Sequence, residues 1–108
     1  MAEVTITAAQ TGSTISARVG DMIAVVLPEV PTSGYRWSLE NSSDDELEPV
    51  DSAFHPSEGS GLDGGGTRVF RFEVRGKGRA HIRLKLWRAW EGERSIRERF
   101  EAWVSSTG

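Results

Sequence analysis

Three short stretches of this chain hold the residue types that do chemistry at a surface. The first is Leu27-Pro28-Glu29-Val30-Pro31-Thr32-Ser33-Gly34-Tyr35-Arg36-Trp37, where a run of strand formers stops at two prolines and a glycine and resumes with two aromatics. Pro31 biases Val30 toward an extended conformation, and Gly34 permits a positive φ at the return. Thr32 and Ser33 then form a small polar tip with exposed backbone groups. Such a segment is either an ordinary strand connection or a fixed shape suited to insertion into a partner.

The second stretch runs from Ser57 to Thr67 and contains Asp63-Gly64-Gly65-Gly66. Its length approaches the ~12–15 residues above which structureless loops are usually functional or disordered. A triple glycine can cradle phosphate, but that use needs a following helix N-terminus and usually a lysine. Here Arg68 to Val74 alternates like a strand, which argues against it. Close backbone approach to a partner and plain disorder both stay open. In the third stretch Trp87 and Trp90 flank Arg88-Ala89 on a charged connection. Trp and Arg are the residues most enriched at binding hot spots, each supplying area and a directed donor. Trp90 is either such an anchor or a lid folded back on the end of the sheets. Trp103, on the charged face of the last strand, is a further exposure candidate, with cross-strand pairing as the alternative.

Catalytic constellations are scarce. His55 falls in a loop and His81 on a polar strand face, and no His, Asp and Glu spacing has the form of a metal site. No nucleophile-elbow sequence accompanies the serines, and Asp44-Asp45-Glu46 has the character of a solvated acidic loop. The expectation is a protein that is not an enzyme and takes no cofactor or metal.

These loops need a frame, and period-two alternation supplies it. Val4, Ile6 and Ala8 share one face; Ile15, Ala17 and Val19 repeat the pattern; Ile23, Val25 and Leu27 follow, then Tyr35, Trp37 and Leu39. A weaker segment from Glu46 to Phe54 contains Pro49 and belongs at an edge. Phe70, Phe72 and Val74 alternate with charges, as do Ala80, Ile82, Leu84 and Leu86, and Ile96, Phe100, Ala102 and Val104 complete the set. About eight strands without a helix imply an all-β, immunoglobulin-like antiparallel sandwich or barrel. If strands run alternately up and down, the loops at 28–34, 55–67 and 88–94 follow the third, fifth and seventh strands and share one pole.

The 108 residues suit one domain, 1–108, large enough to bury a core without crosslinks. The absence of cysteine excludes disulfides, thiolate zinc sites and a cysteine nucleophile. A formal net charge of −3 argues against nucleic acid as a partner. No apolar run approaches the ~20 residues that cross a bilayer, so no membrane partner is expected. Met1-Ala2-Glu3 lacks the regions of a signal peptide. The expected location is cytoplasmic, or that of an exported domain whose leader has been removed.

The three stretches, in order, resemble the chagasin family of cysteine-protease inhibitors. That family carries an Asn-Pro-Thr-Thr-Gly loop, a Gly-x-Gly-Gly loop and an Arg-Pro-Trp loop on an immunoglobulin-like β fold. The matching positions are Val30-Pro31-Thr32-Ser33-Gly34, Asp63-Gly64-Gly65-Gly66 and Arg88-Ala89-Trp90. Tyr35 and Trp37 after the first loop, and Thr67 with the alternating Phe strand after the second, agree as well. The resemblance spans about Thr7 to Val104. It implies a monomeric, reversible inhibitor of papain-family cysteine peptidases. The loop around Thr32 would enter the active-site cleft, with Trp90 as an apolar anchor and Arg88 as a polar contact. Val30, Asp63 and Ala89 depart from the family pattern, and each departure is expected to loosen its loop. A non-inhibitory module of the same fold, binding a protein or a sugar, is the alternative.

Overall fold

Alternating apolar residues produce eight strands among the described residues of the computed structural model, namely 2–42, 45–57 and 65–108. They are β1 (Glu3–Thr7), β2 (Thr14–Arg18), β3 (Met22–Glu29), β4 (Arg36–Ser42), β5 (Leu47–Pro56), β6 (Gly66–Val74), β7 (Gly78–Trp87) and β8 (Glu98–Thr107). One sheet has the order β1-β3-β6-β5 and the other β2-β8-β7-β4. The inward faces supply a core in which Ile6, Ile23, Leu27, Phe72, Leu84 and Phe100 are almost wholly buried. The residues between them along each strand face out and carry most of the charge.

The sheets are not purely antiparallel. β1 pairs with β3, and β2 with β8, in parallel. Parity explains this: when strands alternate up and down, two odd-numbered or two even-numbered neighbours must run the same way. The other pairs join an odd to an even strand and are antiparallel. Alternation along the chain fixes each strand's direction, while the sheet order decides which directions meet.

Several placements depart from the sequence expectation: Ala8 falls in a 3-10 turn after β1, and Val19 and Tyr35 lie outside β2 and β4, Val19 in an exposed turn. Ile96 lies outside β8: its amide bonds to Glu93 O at 3.1 Å and closes a 3-10 turn over Glu93–Ser95. The charged Glu98 between it and Phe100 already interrupts the apolar alternation. His55 is in β5 rather than in a loop, opposite Thr67, because the β5–β6 ladder continues to Pro56 and Gly66. Leu39 is exposed, on a strand at the edge of its sheet with a register shift between Leu39 and Asn41. Pro49 sits where β5 slips register against β6, at the edge of the other sheet. That is the place a residue without an N–H donor is tolerated. Trp103 is explained by cross-strand pairing: it stacks on His81 with centroids 4.7 Å apart, and Arg79 lies over its ring.

Candidate functional site

Register places the ends of the three connections side by side. Glu29 at the end of β3 pairs with Gly66 at the start of β6, which in turn faces Pro56 at the end of β5. In the other sheet Arg36 at the start of β4 faces Trp87 at the end of β7, and Leu86 faces Glu98. The β3–β4, β5–β6 and β7–β8 connections therefore leave from one pole. Asp44, Asp63 and Gly64 lie outside the described residues; Gly65 and Gly66 are within them.

The β3–β4 loop is a single 3-10 turn, Pro31–Ser33. Pro31 opens it, where the missing N–H costs nothing and the fixed φ is already helical. Val30 is extended before it at φ −119°, and Gly34 closes it at φ 81°. There the Gly34 N–H donates to Pro31 O at 3.0 Å, and the left-handed conformation favours glycine. The Ser33 hydroxyl donates to Val30 O at 2.6 Å and accepts from the Tyr35 N–H at 3.2 Å. One side chain thus ties both ends of the turn. Thr32 is left exposed at the tip.

Arg88 joins this loop to the third. Its Nη2 donates to Ser33 O at 3.0 Å, and its guanidinium lies 4.4 Å from the centroid of the Tyr35 ring. Nη1 is 3.6 Å from Glu91, and Nε is buried without an acceptor among the described residues. Arg88, its side chain half-buried, is thereby a strut between loops. The hot-spot statistics that singled it out describe residue types and not this geometry. Its main chain is braced too: Ser95 Oγ accepts the Arg88 N–H at 3.0 Å and lies 2.9 Å from Arg88 O. Ala89 begins a 3-10 turn to Glu91 that presents Trp90, whose side chain is 72% exposed. That exposure rules out the lid. The ring nevertheless has a fixed seat, since a Cβ built on Gly34 would come within 3.0 Å of Trp90 Cη2.

The two glycines described in the second loop differ in kind. A Cβ on Gly66 would collide with His55 O and lie 2.7 Å from Phe54 Cζ, so close packing against β5 demands glycine there. Among the described residues, a Cβ on Gly65 would meet only Val30 Cγ2, at 3.7 Å. Gly65 therefore lies beside Val30 of the first loop. Val30, 44% exposed, and Trp90 put apolar surface at the pole around the polar tip.

Beneath the tip lies a pair that sequence reasoning missed. Glu29, its side chain fully buried, holds Arg68 through Nη2 at 2.8 Å and Nε at 3.2 Å and accepts the Trp37 N–H at 2.9 Å. The Trp37 indole N–H donates to Pro28 O at 2.8 Å. The signal was available: Glu29 continues the inward phase of Val25 and Leu27, and Arg68 continues that of Phe70 and Phe72. Among the described residues no group of His, Asp and Glu is arranged to hold a metal. Nor does any helix have the length and apolarity to cross a membrane.

The scaffold has close counterparts. It is similar to the cysteine protease inhibitor EhICP2 from Entamoeba histolytica, with a TM-score of 0.88 at 21% identity, covering 99% of this chain and 97% of that one. It is also similar to PbICP-C, solved in complex with falcipain-2, with a TM-score of 0.60 at 18% identity, covering 97% and 89% of the two chains. In sequence it is 29% identical over 105 residues to chagasin of Trypanosoma cruzi, spanning 94% of this chain and 96% of that protein. Residues 16–104 match the family described as chagasin family peptidase inhibitor I42. By that match, over most of its length, the chain belongs to the chagasin family of peptidase inhibitors.

Proposed function

We propose that the chain inhibits papain-like cysteine peptidases reversibly, by placing the Pro31–Ser33 turn in the active-site cleft while the two flanking loops hold its rims. The observation that carries this is the mutual bracing of the loops. Arg88 ties the third to the first through Ser33 O, Trp90 seats on Gly34, and Gly65 lies against Val30. A rigid inhibitor gains affinity chiefly by having its ordering costs already met, and these contacts brace the first and third loops against each other, with Gly65 beside Val30, before any partner arrives. The relative solved with falcipain-2 and the cysteine protease inhibitor of like fold support the choice of target class.

Local geometry accounts for blocking without turnover. Peptide substrates are commonly recognised as extended strands whose main-chain groups pair with the cleft. The Pro31–Ser33 turn instead bonds its own amides internally, with Ser33 N–H on Val30 O and Gly34 N–H on Pro31 O. Those donors are unavailable to the cleft, and Pro31 has none. The tip fills the site without offering an extended peptide for attack. The chain carries no cysteine, so it cannot hold the peptidase through a disulfide. Trp90 and Val30 supply apolar contact area on either side, within the ~1,600 Å² of a standard interface.

The test is titration of papain and a cathepsin L-type peptidase with the purified domain, following residual activity and the integrity of the domain. Stoichiometric loss of activity with the domain uncleaved is the expected result. Full activity at micromolar concentrations of a demonstrably folded domain would overturn the proposal and favour a non-inhibitory binding module.

A further inference from the structure

We infer that the Glu29–Arg68 pair is a positioning device that sets the spacing of the first and second loops, and so the shape of the inhibitory pole; this rests on the inhibitory function proposed above. Glu29 is the last residue of β3 and directly precedes the cap of the Pro31–Ser33 turn. Trp37, whose amide it binds, is the second residue of β4, where the same loop returns. Arg68 is the third residue of β6, where the second loop returns. A single carboxylate thus ties both stems of the first loop to the return stem of the second. In doing so it links the two sheets, because β3 and β6 belong to one and β4 to the other.

Stability alone does not call for charge at these positions. Both face inward on strands that are otherwise apolar on that side, at Leu27 and Phe70. A well-packed apolar pair is often as stabilising as a buried ion pair, or more so, because it avoids desolvating two charges. What the ion pair adds is direction. The guanidinium meets the carboxylate through Nε and Nη2, a forked geometry that fixes distance and angle together. Oε1, which Arg68 Nε also reaches at 3.3 Å, accepts the Trp37 N–H as well, so Glu29 is oriented from two sides. Arg68 is steadied in turn by Phe54 of β5, whose ring centroid lies 5.7 Å from the guanidinium carbon. That contact brings the outgoing stem of the second loop into the same unit. The pair lies one strand residue below Val30 and reaches no partner itself. Its effect passes through the loops it spaces.

The experiment separates positioning from stability with two variants. E29Q/R68M removes both charges while the Gln carbonyl still accepts the Trp37 N–H, leaving no uncompensated buried charge. R68K keeps the charge and loses the fork. Each is compared with the unaltered protein in inhibition of papain, in thermal unfolding and in amide hydrogen exchange. The expected result is a rise in Ki of about tenfold in both variants, the order seen for side chains coupled in one network. For E29Q/R68M it comes with an unfolding temperature close to that of the unaltered protein. The Ser33 and Gly34 amides should exchange faster, while the Gly20 and Val74 amides at the opposite pole, bonded to Val74 O and Asp21 O, stay as they were. Unchanged Ki in E29Q/R68M overturns the inference, even if exchange quickens, for the spacing would then not bear on inhibition. If the double variant does not fold, R68K decides by the same readouts. If the unaltered protein fails to inhibit, the functional proposal falls; exchange at Ser33 and Gly34 then tests the clamp by itself, and no local change refutes it.

Discussion

Truncating Trp90 to alanine gives the most direct test of the proposed anchor, because the structure sets its size. A tryptophan buries ~150–250 Å² when covered, and 72% exposure leaves roughly 110–180 Å² of that free for a partner. At ~25 cal/mol per Å² this area corresponds to about 2.7–4.5 kcal/mol. Ordering a side chain at an interface costs ~0.5–1.5 kcal/mol, part of which the seat on Gly34 has already met. A net loss of about 3 kcal/mol, or roughly a 100-fold rise in Ki, is the expected outcome. The loss should fall mainly on the dissociation rate, as it does for most interface truncations. Since the ring is largely in solvent, the free domain should change by no more than ~0.5 kcal/mol in stability. Progress-curve analysis with papain gives the rate constants, and thermal unfolding provides the control. A rise in Ki below about threefold, from a variant with unaltered unfolding, would refute the anchor role, since hot-spot truncations cost ~2 kcal/mol or more.

The other expectations address the glycines, the third loop and acid stability. Gly66→Ala should lower the unfolding temperature by about 5–20 °C, the equivalent of the ~1–3 kcal/mol cost of overpacking, because the new methyl meets His55 O and Phe54. Gly65→Ala should unfold like the unaltered protein, since its methyl makes an ordinary contact with Val30; equal losses in both variants would contradict the distinction. Ala89→Pro should be accepted, because residue 89 opens a 3-10 turn and Arg88 before it is extended at φ −102°, ψ 106°. Its gain should be modest, about two- to fivefold in Ki from ~0.4–1 kcal/mol of lost chain freedom; a hundredfold gain would mean that the alanine leaves the loop loose. Asp21 is held below its ordinary value of 3.8 chiefly by the Arg18 N–H, and also by that of Ala2. The carboxyl therefore takes up its proton more readily in the unfolded chain. Its stabilising contribution is present above 3.8 and drains away as pH falls below it. Asp21→Asn should thus lower the unfolding temperature at neutral pH, and the gap to the unaltered protein should narrow as pH falls below 3.8; a gap constant with pH would refute the assignment.

Much of the architecture was legible because it follows from two local rules. Period two marks the strands, and their alternation in direction brings the third, fifth and seventh connections to one end without knowledge of the sheet order. The order itself was not legible. Nothing local to β1 says that it lies beside β3, so the parallel pairs were missed. His55 and Pro56 looked like loop because proline and glycine nearby mark turns, whereas the ladder with Gly66 and Thr67 overrides that preference. Glu29 and Arg68 were missed for a different reason: the alternation was followed along apolar residues and stopped at the first charge. Extending its phase by one more inward position on β3 and on β6 finds both. Arg88 was noticed as a surface contact, but only the positions of Tyr35 and Ser33 O reveal that it also ties two loops together.

The departures at Val30 and Ala89 bear on where the rigidity of the pole resides. The asparagine that Val30 replaces would act by local hydrogen bonds, yet here the Ser33 hydroxyl already spans the turn from Val30 O to the Tyr35 amide. The proline that Ala89 replaces would act by fixing φ, yet the Ser95 hydroxyl bonds the main chain of Arg88 on one side and lies 2.7 Å from Gly92 O on the other. The Ser33 brace lies within the turn itself and closes it on its stems, while the Ser95 brace, Arg88 and the Glu29–Arg68 pair sit at the base of their loops. With shape held from below, a tip residue can change without releasing the fold of its loop. Val30 is free to be apolar and to meet a partner through packing rather than through a hydrogen bond, and it gains a contact with Gly65 in doing so. The tips thus become the positions at which target preference can be altered with little cost to preorganisation, while the bases are where substitution should weaken binding to every target alike.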